Sequence, residues 1–324
     1  MKVTNPIRVG IAFGLGFSVL AGAAAGSAGK GKKAKSDSPA ATSAANPADC
    51  RVGGSALALS DLNEASGIAV SRRTPGILWS HVDATSAAPV LVAFDAHGSA
   101  KGKVRVEGVK VEDWEDVAAG SCGKGACLYI GDIGDNRSSR SSVTVYRVPE
   151  PLATDSKTEP AEAFHAKFPD GAHDAEALFV SAAGEIFVVT KGDAGPIAIY
   201  RFPTPLRAGA TVTLEKVATL KGGTASKSQW VTGASASADG KWVALRTHQT
   251  IFFYDAARLA KGDVGHPLSF DVTKLAEPQG EGVALGPDGA LFLASEGGRK
   301  GAPGKLSAAV CKLVAPAEAK GSQD

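Results

Sequence analysis

The sequence predicts an all-β protein: a five-bladed β-propeller of four-stranded blades, its ring closed by the N-terminal strand. Three observations carry this. A short motif recurs five times, each copy opening on a polar or acidic residue: Ser66-Gly-Ile-Ala-Val70, Glu115-Asp-Val-Ala-Ala119, Glu176-Ala-Leu-Phe-Val180, Thr232-Gly-Ala-Ser-Ala236 and Glu281-Gly-Val-Ala-Leu285. The leading residues lie 49, 61, 56 and 49 positions apart, and a repeat near fifty built from short strands is the signature of propeller blades. Finally, the chain has room for only three strands after Glu281, ending near Lys305 to Leu313, while the strand Ser55 to Leu59 stands unassigned before Ser66.

Within each repeat the leading strand meets a turn such as Ala183-Gly184, Asp239-Gly240 or Asp288-Gly289. A second apolar run follows: Ile77 to Trp79, Cys127 to Ile130, Ile186 to Val189, Trp242 to Leu245 and Leu291 to Ala294. Third strands show matching ends, Val145-Tyr-Arg-Val-Pro149 beside Ile199-Tyr-Arg-Phe-Pro203 and Phe94-Asp-Ala beside Tyr254-Asp-Ala. Fourth strands are fainter, at Lys103 to Val109, Ala161 to Phe168 and Val212 to Leu220. Few aromatics, 39 glycines and no sustained 3.6-residue periodicity fit many tight turns rather than long helices.

The ends read differently. Lys2 and Arg8, the apolar run Val9 to Leu20 and the small residues Ala21 to Ala28 form a signal peptide over 1–28. The apolar part falls short of the roughly 20 residues of a membrane span. Residues 29–48 read as a disordered Lys/Ser/Ala-rich linker, 49–315 as the propeller and 316–324 as a disordered tail. The protein is therefore expected to be secreted or in the periplasm or cell envelope, without a transmembrane anchor after processing, and monomeric. The formal charge of +2 over 324 residues conceals an excess of basic residues before residue 49, so the remainder is mildly acidic. That argues against a nucleic-acid partner. Export also makes the four cysteines candidates for disulfides. Cys122 and Cys127 flank one turn, which leaves Cys50, before the first strand, with Cys311, in the last.

The first strand of each blade lines the central channel. Ser66, Glu115, Glu176, Thr232 and Glu281 therefore converge on one ring of three carboxylates and two hydroxyls. Three buried carboxylates without a counter-charge would destabilise the fold by several kcal/mol. A hard cation removes that repulsion; calcium takes six to eight oxygens in loose geometry, and a ring without His or Cys does not suit zinc or copper. The alternative is that each Glu caps backbone amides around a water-filled channel. A second register lies 15 residues on: His81, Lys191, Thr247 and Glu296, with Asp132 at 17 in the second blade. Antiparallel return puts these at the same mouth, among Asp83, Asp135, Asn136, Arg246 and His248. One polar face results, suited to a small anionic molecule or an envelope ligand.

The order hydroxyl, Glu, Glu, hydroxyl, Glu at blade starts resembles the five-bladed calcium-activated nucleotidases, the apyrase family, as does Leu128-Tyr-Ile-Gly131. The resemblance implies a propeller with calcium held by Ser66, Glu115, Glu176, Thr232 and Glu281, although Thr stands where that family has a second Ser. The segments Asp113-Trp-Glu-Asp-Val-Ala118 and Gly131-Asp-Ile-Gly-Asp-Asn136 look closer to uncharacterised exported bacterial propellers. Two functions stay open. One is a calcium-dependent hydrolase of phosphates or esters, with Lys191 and Arg246 stabilising developing charge and Asp132 or Glu296 activating water. The other is a non-catalytic propeller that binds an envelope ligand or protein around a structural cation.

Overall fold

The computed structural model describes residues 45–59, 62–82, 88–123, 125–299 and 301–314. The predicted signal peptide, most of the linker and the C-terminal tail lie outside them. Five antiparallel sheets follow one another along the chain as five blades. Their innermost strands are Ala65–Val70, Trp114–Ser121, Ala175–Val180, Val231–Ala236 and Gln279–Leu285. Each packs on the next, and the fifth packs on the first, closing the ring. The second and third strands fall where the apolar runs place them, so that Ile186–Thr190 pairs with Ala175–Val180 on one side and Ile197–Arg201 on the other. Between blades, apolar faces interlock: Tyr129, Val145 and Phe164 of blade 2 pack with Leu178, Val188 and Tyr200 of blade 3.

Closure uses the N-terminal strand as expected, but in two pieces. Leu57–Leu59 pairs with Gly304 to Leu306, and Asp49–Val52 pairs with Ala309 to Lys312. Cys50 lies directly opposite Cys311 and is bonded to it, and Cys122 is bonded to Cys127. Three additional strands were not anticipated. Lys157–Pro160, on the way to the outer strand of blade 2, pairs in parallel with the outer strand of blade 1, Ala100–Glu107. Thr211–Thr213, on the way to the outer strand of blade 3, does the same to Glu162–Lys167 of blade 2. Asn46–Pro47, preceding the closing strand, does so to Leu268–Asp271 of blade 4. These additions cover edges that would otherwise present unpaired amides. Blades 1 and 2 are tied again by the buried Glu150, which accepts from Trp79 Nε1 at 2.9 Å and from the amides of Arg72 and Arg73 at 3.1 Å.

On the axis the strands come too close for side chains. The residues following the ring are Gly67, Asp116, Ala177, Gly233 and Gly282. A Cβ at Gly67 would lie 2.4 Å from Asp116 Oδ1, one at Gly233 2.6 Å from the Glu281 carbonyl, and one at Gly282 2.5 Å from that of Ser66. The space holds one carboxylate, and Asp116 supplies it. Its oxygens accept from the amides of Val117 in its own strand (2.8 Å), Leu178 in blade 3 (2.8 Å) and Ala234 in blade 4 (3.1 Å). Burial pushes the Asp116 carboxyl well above its ordinary value, against the pull of these three amides.

Asp116→Asn should lower stability by about 3 kcal/mol or more, because an amide offers one acceptor where two oxygens serve three donors. Urea unfolding checks this. Replacing Cys50 and Cys311 by Ser should cost up to roughly 4–5 kcal/mol in the chain-entropy account of a long closed loop. The same change at Cys122 and Cys127 should cost clearly less, and differential scanning calorimetry of the two variants decides it.

Candidate metal centre at the channel mouth

Each ring residue sits at a β-bulge. Strand register slips between Ala65 and Ile68, Trp114 and Asp116, Ala175 and Ala177, Val231 and Gly233, and Gly280 and Val283. An extra residue in one strand re-aims its side chain out of the regular alternation. All five ring residues are buried. The two hydroxyls join one blade's ring residue to the next blade's backbone. Ser66 Oγ donates to the Glu115 carbonyl, and Thr232 Oγ1 is shared between the carbonyls of Gly280 and Glu281 at 3.0 Å.

The carboxylates gather more tightly than the ring alone suggested. Glu115, Asp174 and Glu176 bring oxygens within 4.8 Å of one another, all buried. Gly134 makes this possible: a Cβ there would stand 2.1 Å from Glu115 Oε1 and 2.6 Å from Asp113 Oδ2. The same loop fixes Asp174, whose Oδ1 accepts from the Asp135 amide at 2.7 Å. Lys191 forms an ion pair with Glu176 and stands 3.3 Å from Asp174 Oδ2. Burial works to lower its pKa, but Glu176, Asp174 and Glu115 override this and hold the ammonium above its ordinary value. Glu281 moves oppositely for an acid: burial first, then the charge of Glu176, pushes its carboxyl well above the usual range. Glu296 accepts from Gln279 Nε2 at 3.0 Å beside it.

The remaining predicted site residues divide. Arg246 is wholly buried; its Nη1 donates to the carbonyls of Gly282 (2.7 Å) and Ala294 (3.0 Å), and its Nη2 pairs with Glu277. It joins blades 4 and 5 rather than facing the mouth. Asp132, expected to activate water, accepts from the amides of Glu112 (2.8 Å) and Asp113 (3.2 Å) and pairs with Arg140 at 2.8 Å. It anchors the loop that carries Asp113. Asp135 and Thr247 likewise brace loops, Asp135 Oδ2 accepting from the Arg140 amide and Thr247 Oγ1 donating to the Thr250 carbonyl. His81 is buried edge-on to Trp114, its pKa lowered to about 4 by burial. His248 is half-buried and bonds the Gly280 carbonyl, Asn136 is exposed, and Asp83 lies outside the described residues. Asp113, Asp174 and Trp230 were missed, although each stands two positions before a ring residue and so recurs at equivalent places in three blades.

No known family's sequence pattern and no curated protein matches the chain. Solved structures do share its propeller fold. The major allergen Mala s 1 of Malassezia sympodialis aligns over 80% of this chain and 96% of its own at 10% identity, with a TM-score of 0.52. An aldose sugar dehydrogenase of Streptomyces coelicolor, solved with PQQ bound, aligns over 83% of this chain and 100% of its own at 11% identity and TM-score 0.48. A gluconolactonase of Xanthomonas campestris aligns over 85% of this chain and 99% of its own at 12% identity and TM-score 0.46. At these identities the likeness extends to the fold alone. Among the described residues no helix is long and apolar enough to cross a membrane.

The raised Glu281 carboxyl sets a pH dependence. Above the ordinary value of 4.5 the unfolded chain releases this proton while the native state keeps it. Stability should therefore fall as pH rises from there until the elevated native value is passed. Melting temperatures in chelator across that range should show the decline, and Glu281→Gln, which has no proton to lose, should flatten it.

Proposed function

We propose that this protein is an exported propeller that holds a divalent cation, calcium, at its channel mouth and binds a polar ligand there without turning it over. The observation that carries the cation is the convergence of Glu115, Asp174 and Glu176 oxygens within 4.8 Å, with Glu281 held unfavourably close to Glu176. Oxygens around a calcium ion lie 2.3–2.6 Å from it, so donors across it are about 5 Å apart at most. Glu115 and Glu176 on bulges and Asp174 just ahead of one, with Gly134 leaving room, fit that requirement. Such a cation would return Glu281 to its charged form and displace the Lys191 ammonium, the internal cation that now partners Glu176. The likeness to calcium-activated nucleotidases supports the same ring at Ser66, Glu115, Glu176, Thr232 and Glu281, with Asp174 added and the two hydroxyls acting first as bridges between blades.

A binding role is favoured over hydrolysis by the condition of the four proposed catalytic groups. Arg246 and Asp132 are consumed by backbone and ion-pair contacts, which leaves Lys191 and Glu296 at the mouth. The hydrolytic reading rests on those two alone. Assaying the purified protein with calcium against nucleotides, phosphomonoesters, phytate, lactones and simple esters separates the readings: turnover abolished by Glu296→Gln would establish the enzyme.

Binding restricted to the closed ring stabilises the fold by about 2.7 kcal/mol at a hundredfold excess over the dissociation constant. Chelator should therefore lower the melting temperature and calcium restore it. Glu176→Gln should weaken the response, whereas Lys191→Met should strengthen it by removing the competing ammonium. Indifference of melting to both chelator and calcium would remove the cation from the reading.

A further inference from the structure

Trp230 stands two positions before Thr232 and is half-buried. Its ring centroid lies 5.3 Å from the ammonium of Lys191, the group that partners Glu176 and stands 3.3 Å from Asp174 Oδ2. An ammonium within about 6 Å of a ring centroid is attracted to the aromatic face, most strongly to that of tryptophan. Lys191 therefore has two kinds of partner, the carboxylates of the cluster and an uncharged ring.

The backbone around this pair is tied together. The Val231 amide donates to the Lys191 carbonyl at 3.0 Å, and the Ala225 amide to the Gly192 carbonyl at 2.7 Å. Trp230 Nε1 in turn donates to the Ala225 carbonyl at 3.2 Å. Ring and lysine backbone thus keep one spacing, and the flexible four-carbon stem of Lys191 is the part that can move. A second ammonium, that of Lys227, is 5.9 Å from the ring, on an exposed side chain that can turn to solvent. A cation among Glu115, Asp174 and Glu176 would take over the ion pairs of Lys191 and repel its ammonium. A carboxylate placed to receive that ammonium would compete for the cation. The face of Trp230 carries no formal charge, so it can hold the ammonium without drawing the cation off the cluster.

We propose that Trp230 is a positioning residue for the cation site: its ring is the second seat of the Lys191 ammonium, occupied when the cation displaces that group from Glu176. The inference rests on the cation reading above and makes Trp230 a determinant of cation affinity without contact to the ion. Because the ring already touches Lys191, only the tightening of that contact on release favours the bound state. The test is isothermal titration of calcium chloride into the full protein after treatment with chelator and dialysis. Trp230→Ala should weaken calcium binding about two- to fivefold, the size of one partly exposed cation–π contact. Trp230→Phe, which keeps a ring with a weaker face, should weaken it less, and serves where the alanine variant does not fold. Lys191→Met removes the group that the ring receives, so in that background Trp230→Ala should leave calcium affinity unchanged. A ring that merely braced its loop would weaken binding in both backgrounds, and that result would overturn the proposal. So would unchanged or tighter binding in Trp230→Ala alone. Either outcome, with calcium still bound by the unaltered protein, leaves the cation standing and sinks the role of Trp230. An unaltered protein that neither binds calcium nor melts differently in it sinks both.

Discussion

The geometry of the molecule depends on how little room there is at the propeller axis. Five inner strands converge until three of the five axial positions tolerate no Cβ, and one tolerates a carboxylate because that carboxylate replaces absent side chains. Asp116 accepts amides from three strands that are far apart in sequence, so blades 2, 3 and 4 share a polar centre as well as apolar flanks. Low dielectric around such a group strengthens each hydrogen bond and raises the penalty for losing one. The ring above it inherits its position from this plug. Bulges at Ser66, Glu115, Glu176, Thr232 and Glu281 lie immediately before the axial residues, where the strands begin to separate and side chains again have space.

Charge at the mouth follows from that placement. Carboxylates forced together by symmetry need a compensating group, and Lys191 provides one from within the chain. Burial first, and then the charge of Glu176 that one ammonium does not cancel, drives Glu281 towards its protonated form. The same logic, at smaller scale, applies to Glu277: it is balanced in charge by Arg246 but unbalanced in hydrogen bonds.

The blade count, the ring, the ring closure and both disulfides were legible in the sequence because propeller symmetry repeats them. Position and residue type at five equivalent places carry the information, and no single copy had to be strong. What was not legible has no such repetition. The parallel strands Lys157–Pro160, Thr211–Thr213 and Asn46–Pro47 sit in connections of unequal length, and their pairing is set by what the neighbouring blade leaves open. Arg246 and Asp132 lie near the ends of their strands, but a position does not reveal whether the side chain turns to solvent or back into the backbone. Asp113 and Asp174 were readable in principle. They lie two residues before Glu115 and Glu176, in the turns that lead directly into the inner strands Trp114–Ser121 and Ala175–Val180, and so arrive at the same end of the channel.

The seam at Cys50 and Cys311 also imposes an order of events on the chain. The two cysteines are 261 residues apart, and the strand that completes blade 5 leaves the ribosome before any blade does. Until the final strand Gly304–Lys312 appears, Asp49–Val52 has no antiparallel partner, whereas the four main strands of each of blades 1 to 4 come from one contiguous stretch of chain. Pairing at such long sequence separation is slow because the loop must close before any contact is gained. The nascent protein therefore passes through an open arc, with one end waiting for the other, and the disulfide records the moment at which they meet.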